Sequence, residues 1–417
     1  MNKPPVPGRI VELARRIATQ SEAFERRLSE HNLQCPSFTS GSYDIPPNLA
    51  DTQHIILEAA DELTALVQGP RSMLATFATE HNKATSLHAI IRFSLAHHVP
   101  LQGSISFTSL STLTSLSTRT LTQLLRHAMT YRIFHEPTRG LVAHTLASKL
   151  LLTDQNFVNF IRVALDELLP SAANMVAAMQ KWPESQHPHE AGFQLANGTR
   201  DPIFEVLDKD PERAERFALS MRGFLDSEAF SARHLGGAYP WGERRKVVDV
   251  GGSSGTVARH LADWFPALRC VVQDLPQTVG SSIAESAPED RVQFMAHDMF
   301  GEQPVVDADV YLIRFVLHDW SDEYAARIIR RVVPMLEKGA ELVINDTCLP
   351  EYGTKSAYEQ RFLRATSLTM RAIQNGRERD LEDWKNLLSR VDERLVVKDL
   401  VRPEGSALAV LVVVLQM

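Results

Sequence analysis

Val247-Val248-Asp249-Val250-Gly251-Gly252-Ser253-Ser254-Gly255 is a short apolar run that breaks into glycines and serines. Such a run reads as a buried strand, and its glycines allow a tight turn into a following helix. Outward from it the pattern repeats. Strand-like runs stand at residues 270–273, 292–296, 310–315, 341–345, 395–401 and 407–415, most of them separated by helical stretches. That alternation predicts a doubly wound α/β domain, a parallel sheet covered on both faces. The last two runs are joined only by Arg402-Pro403-Glu404-Gly405-Ser406. A connection so short cannot cross over in parallel, so the final strand must be antiparallel.

Upstream of Gly236-Gly237 the chain reads as mainly helical, which sets a boundary between residues 1–235 and 236–417. Ile10, Leu13, Ile17, Phe24 and Leu28 recur at roughly helical spacing, and a second helix over 51–68 should end at Gly69-Pro70. Ser117 reads as the N-cap of a helix whose face carries Leu121, Leu124, Leu125 and Met129. Two short strands, 133–136 and 141–144, follow around Pro137-Thr138-Arg139-Gly140. Helix, turn, helix and wing is the outline of a winged-helix unit, read here as a packing or dimerisation module.

Binding to nucleic acid would need concentrated positive charge, but 44 Lys and Arg stand against 51 Asp and Glu, for a net charge of −7. Cys35, Cys270 and Cys348 are far apart, without zinc or disulfide spacing, as expected of a reducing, cytoplasmic compartment. The first twenty residues hold no apolar secretory core, and the longest apolar run, 407–415, is about half a membrane span.

Three readings compete for the glycine loop. The dinucleotide pattern G-x-G-x-x-G fails at Ser253 and Thr256. The hydrolase elbow G-x-S-x-G matches with Ser253 as nucleophile, but it requires a late histidine, and none follows His318. The third is an acid-x-Gly-x-x-x-Gly turn starting at Asp249, the form that suits S-adenosylmethionine (SAM). It expects a carboxylate after the next strand for the ribose and a polar residue after the third for the adenine. Asp274 and Asp298 stand there, with Met299 and Phe300 beside the ring. Each aspartate alone reads equally well as a loop or cap residue.

After the fourth strand comes His318-Asp319-Trp320-Ser321-Asp322-Glu323. Ser321 suits an N-cap, and the two acids suit the positive end of the next helix. His318 is thereby placed on a strand-to-helix loop, where an imidazole can remove a phenolic proton. Alone, it reads better as a capping or packing histidine.

The sequence resembles the class I, SAM-dependent small-molecule O-methyltransferases of plants and fungi, the caffeic-acid type. The resemblance covers roughly residues 85–417, and the first 80 look like fungal polyketide-tailoring members. It rests on Val248-Asp249-Val250-Gly251-Gly252, Gln273-Asp274-Leu275-Pro276, His297-Asp298-Met299-Phe300, His318 to Glu323, and Asn375-Gly376-Arg377-Glu378-Arg379. It implies a Rossmann-like SAM domain behind a winged-helix dimerisation domain, and hence a homodimer. It also implies His318 as general base, oriented by Glu378 and by Asp346, the latter at a position usually held by Glu. Gly251, Asp274, Leu275, Asp298, Met299 and Arg314 match SAM-contacting positions. Arg314 stands for the commoner Lys, and Ser253 for the usual third glycine. Phe217, Met221 and Met370 match positions that clamp a small aromatic substrate. Direct methyl transfer to a phenolic or enolic hydroxyl, without a metal, is the reaction implied. The rival is a relative on the same fold that keeps SAM but catalyses a pericyclic or dehydrative step; the base and its acids favour transfer.

Overall fold

The computed structural model describes residues 8–41, 46, 49–225, 227–285, 287 and 289–416. The chain forms two compact units, Met1–Leu165 and Asp166–Met417. The expected boundary at 235/236 thus marks a change in secondary-structure type rather than the edge of a compact unit. The helices Leu169–Lys181 and Gly192–Asn197 pack on Ala357–Gln374, which belongs to the sheet-bearing unit.

In the first unit, Arg9–Glu30 pairs with Ala50–Thr79. The second of these breaks at Gly69, whose φ of 73° is left-handed, and resumes after Pro70. The expected N-cap is present: the Ser117 hydroxyl accepts the Thr120 N–H at 3.1 Å, starting Thr118–Thr130. The wing is slighter than expected. Its two runs meet only at a bridge between His135 and Ala143, and Leu141–Val142 pairs instead with Ile105–Ser106.

The second unit is built on a seven-stranded sheet. In chain order its strands are β1 (Lys246–Val250), β2 (Arg269–Asp274), β3 (Val292–Ala296), β4 (Val310–Arg314), β5 (Glu341–Asp346), β6 (Leu395–Val401) and β7 (Ala409–Leu415). They lie in the order β6-β7-β5-β4-β1-β2-β3. Only β7 opposes its neighbours, antiparallel to both β6 and β5, as the short connection requires.

Strand alternation divides the apolar side chains between two cores. Val248, Val250, Tyr311, Ile313, Leu342 and Ile344 face the helices Asp322–Arg330 and Leu381–Val391, meeting Ile328, Ile329 and Trp384. Val247, Val272, Val310, Leu312 and Val343 face the other way, against Ala258, Leu261 and Ala262 of Thr256–Trp264. Each large apolar side chain so buried contributes roughly 1.5–3 kcal/mol. The central strands β1 and β4 are adjacent, and their C-terminal ends carry the glycine loop and the His318 turn.

Candidate active site

β4 ends one residue earlier than its apolar run suggested. Phe315 has a φ of 53°, left-handed and unfavourable for a bulky residue, so the chain turns sharply out of the sheet. A single 3-10 turn follows, Leu317–Asp319, with His318 at its centre and 3% exposed. The Phe315 ring lies 4.0 Å from the imidazole, centroid to centroid. On the imidazole, Nδ1 is 2.9 Å from Glu378 Oε1, and the backbone N–H of His318 donates to Asp346 Oδ2 at 3.2 Å. Nε2 is left 3.6 Å from Asp319 Oδ1.

A carboxylate on Nδ1 assigns the proton there, so in the neutral ring Nε2 carries the free lone pair. Burial disfavours the charged ring, but Asp319, Asp346 and Glu378 together outweigh it and push His318 up to about 10. Burial, opposed by His318, also raises Asp346. Glu378 Oε2 is buried and lacks a hydrogen-bond partner among the described residues. The structure thus brings all three residues expected of the base and its acids together, with ligand-type atoms within 4.8 Å of one another.

What places Glu378 is the end of the helix Ala357–Gln374. Asn375 closes it in a left-handed conformation, φ 60°. Gly376 then passes so close to the base turn that a Cβ there would sit 2.4 Å from the Asp319 carbonyl oxygen and 2.5 Å from that of His318. Only glycine permits this approach. Arg377 N–H donates to the His318 carbonyl at 2.9 Å, and Gln374 Nε2 to that of Asp319 at 2.8 Å. Gln374, Phe315 and Arg379 all contact the base turn, and although Arg379 closes the Asn375–Arg379 motif, none of these contacts is legible in the sequence. A buried arginine or glutamine looks there like any surface one.

The glycine loop is shaped by crowding. Gly251 and Gly255 have φ of 76° and 73°, and a Cβ on Gly252 would lie 2.6 Å from Asp249 Oδ2. Ser253 occupies the left-handed region too, φ 50°, where the related pattern has glycine. Asp249 lies within β1 rather than beyond it; burial and the Asp274 charge raise its carboxyl to about 7 against the pull of Arg314. Asp274 closes β2, half-buried, its Oδ2 accepting Ser253 N–H at 2.9 Å and its Oδ1 accepting Leu275 N–H at 2.8 Å. One lone pair remains on each oxygen. Leu275 is exposed, Met299 half-buried, and Asp298 exposed with its Oδ1 accepting Phe300 N–H at 2.9 Å. Spare acceptors and open apolar side chains beyond three neighbouring strands fit a nucleoside.

The remaining expected residues are placed as follows. Arg314 donates to Asn345 Oδ1 and the Phe230 carbonyl. The Ser321 side chain makes no cap; its hydroxyl donates to the Gln186 carbonyl at 2.8 Å, and Gln186 Oε1 accepts Glu323 N–H instead at 3.0 Å. Phe217 and Met370 both pack on the cluster of Phe193, Ile203, Leu207 and Ile373. Met221, one turn beyond Phe217, is half-buried and not part of that cluster.

A seven-stranded sheet with one reversed strand, a glycine-rich nucleoside loop and an acid-held histidine beyond adjacent strands define a SAM-dependent methyltransferase. The O-methyltransferase domain family matches residues 178–392, and the chain belongs to that family. O-methyltransferase kk1A of Curvularia clavata is 37% identical over 98% of this chain and 97% of its own. Chlorophenol O-methyltransferase of Trichoderma longibrachiatum is 32% identical over 97% of this chain and 90% of its own. The crystal structure of OxaC in complex with SAH and oxaline superposes with a TM-score of 0.75 at 20% identity, covering 98% of this chain and 99% of that one. The protein is a SAM-dependent O-methyltransferase.

Proposed function

We propose that the enzyme methylates a phenolic or enolic hydroxyl of an aromatic, polyketide-like secondary metabolite, with His318 as general base. The observation that carries this is the 2.9 Å contact between His318 Nδ1 and Glu378 Oε1, which directs Nε2 away from its acid. SAM supplies an activated methyl group and a sulfonium charge that lowers the affinity of a neighbouring imidazole for its proton. His318 Nε2 would take the acceptor's proton as the acceptor's oxygen bonds to the methyl carbon and the methyl–sulfur bond breaks, leaving S-adenosylhomocysteine as product. Glu378 fixes the tautomer, and Asp346 fixes the turn through the backbone N–H.

Gly251, Asp274, Leu275, Asp298 and Met299 hold the nucleoside, and Arg314 acts from beneath by tying β4 to β5. Phe217, Met221 and Met370 form the flat apolar clamp. The chlorophenol O-methyltransferase relative, similar over nearly the full chain, supports a phenolic acceptor. No metal takes part in this reading, in which Glu378 orients the imidazole and Asp346 holds the turn. No helix among the described residues is long and apolar enough to cross a membrane, in keeping with a cytoplasmic enzyme.

Residues 236–417 bear the donor site, and residues 1–235 provide dimerisation and the substrate lid. The exposed Leu66, Val67, Leu74 and Phe77 along Ala50–Thr79 support a homodimer through the N-terminal unit. A panel of phenols and enolic polyketides incubated with SAM and a chelator tests the reaction. The gain of one methyl group by an acceptor is expected. Conversion of a reactive acceptor without methyl gain would point to the pericyclic rival.

A further inference from the structure

Arg379 follows Glu378 directly and is fully buried. Burying an arginine is costly unless every donor is used, and this one uses its whole fork. Nη1 donates to the Leu317 carbonyl at 2.8 Å, Nη2 donates to the Trp320 carbonyl at 2.8 Å, and Nε donates to Asp322 Oδ1 at 2.9 Å. The two carbonyls bracket His318-Asp319. The guanidinium also lies over the Trp384 ring, 5.1 Å from its centroid. On consecutive residues, one side chain thus holds the imidazole ring and the next holds the backbone that carries it.

We propose that Arg379 is a positioning residue for the base: it clamps the turn on both sides of His318 and so fixes where the imidazole points. This rests on His318 being the base. The charged groups around Arg379 are Asp322, Arg377 and Asp346. Asp322 is shared with Arg377 at 3.3 Å and Arg390 at 3.9 Å, and Arg377 also meets Asp383 at 2.6 Å. Around His318 stand Asp319, Asp346 and Glu378.

Two substitutions separate geometry from charge. In Arg379→Lys the charge stays but the fork is lost, since an ammonium cannot span both carbonyls and the carboxylate. The expected result is kcat lower by about tenfold, with the acidic limb of its pH profile unmoved and SAM affinity within about twofold. In Arg379→Gln, which loses fork and charge together, kcat should fall at least as far, again with SAM affinity within about twofold. Asp322→Asn, which leaves Arg379 in place, should lower kcat less than either and guards against a failure of the arginine variants to fold. All rates are taken per folded molecule, counted by SAM binding. Equal kcat in both arginine variants, with only thermal stability reduced, would overturn the proposal. His318→Ala is the separate control: if it stays fully active, the base assignment fails instead.

Discussion

The α-carbon of Gly376 lies against the His318 carbonyl so closely that a Cβ on Gly376 would stand 2.5 Å from that oxygen. Two segments far apart in sequence are in this way pressed together, backbone to backbone. The reason for the tight approach is the next residue but one, Glu378, whose carboxylate must reach Nδ1. Gly376→Ala should therefore push the base turn aside, costing about 1–3 kcal/mol of stability by overpacking. Denaturant unfolding checks the cost. At temperatures where the variant is fully folded, kcat should still fall, because the displaced turn carries the imidazole.

The pH dependence follows from the charges around His318. A base works only when unprotonated, so the rate must rise with pH as the ring loses its proton. Three carboxylates push that ring up to about 10 without ligand, so the acidic limb of kcat/KM should lie well above the ordinary imidazole value. Glu378→Gln removes one of these charges and should move the limb to lower pH, with a reduced plateau. An unmoved limb would mean that another group titrates.

Asp274 caps the glycine loop through Ser253 and keeps a lone pair on each oxygen for a ligand. Asp274→Ala should weaken SAM binding by about tenfold or more, as expected for a lost hydrogen bond to a charged group of roughly 1.5–3 kcal/mol. Calorimetry reads this directly, and unaltered affinity would remove Asp274 from the donor site.

Phe77 is 76% exposed at the end of an apolar row on Ala50–Thr79. A second copy of the chain covering that row would explain it. Sedimentation should show a dimer for the wild type and a shift to monomer in Phe77→Asp. A wild-type monomer at micromolar concentration would contradict the homodimer.

The sheet was legible because its central strands are buried on both faces and read as short continuous apolar runs; the half-exposed edge strands β3 and β6 also match their runs at both ends. The overrun at Phe315 has a plain cause, since a left-handed residue leaves no mark on hydropathy. The wing was overread because pairings of only two residues, such as Leu141–Val142 with Ile105–Ser106, carry no periodicity. His318, Asp346 and Glu378 were legible through motif resemblance rather than spacing, being brought together by folding alone. Gln186 capping Glu323, and Arg379 gripping the base turn, depend on long-range contacts. No local rule reveals these.

Proton removal by His318 during methyl transfer is tested most directly by one comparison. SAM labelled in its methyl carbon is offered with a phenolic acceptor to the wild type and to His318→Ala, with SAM affinity measured alongside. The expected result is label on the acceptor's oxygen, a rate about 10²–10⁴ lower in the variant, and SAM affinity within about twofold. Product without label, or an unchanged rate in His318→Ala, would contradict it.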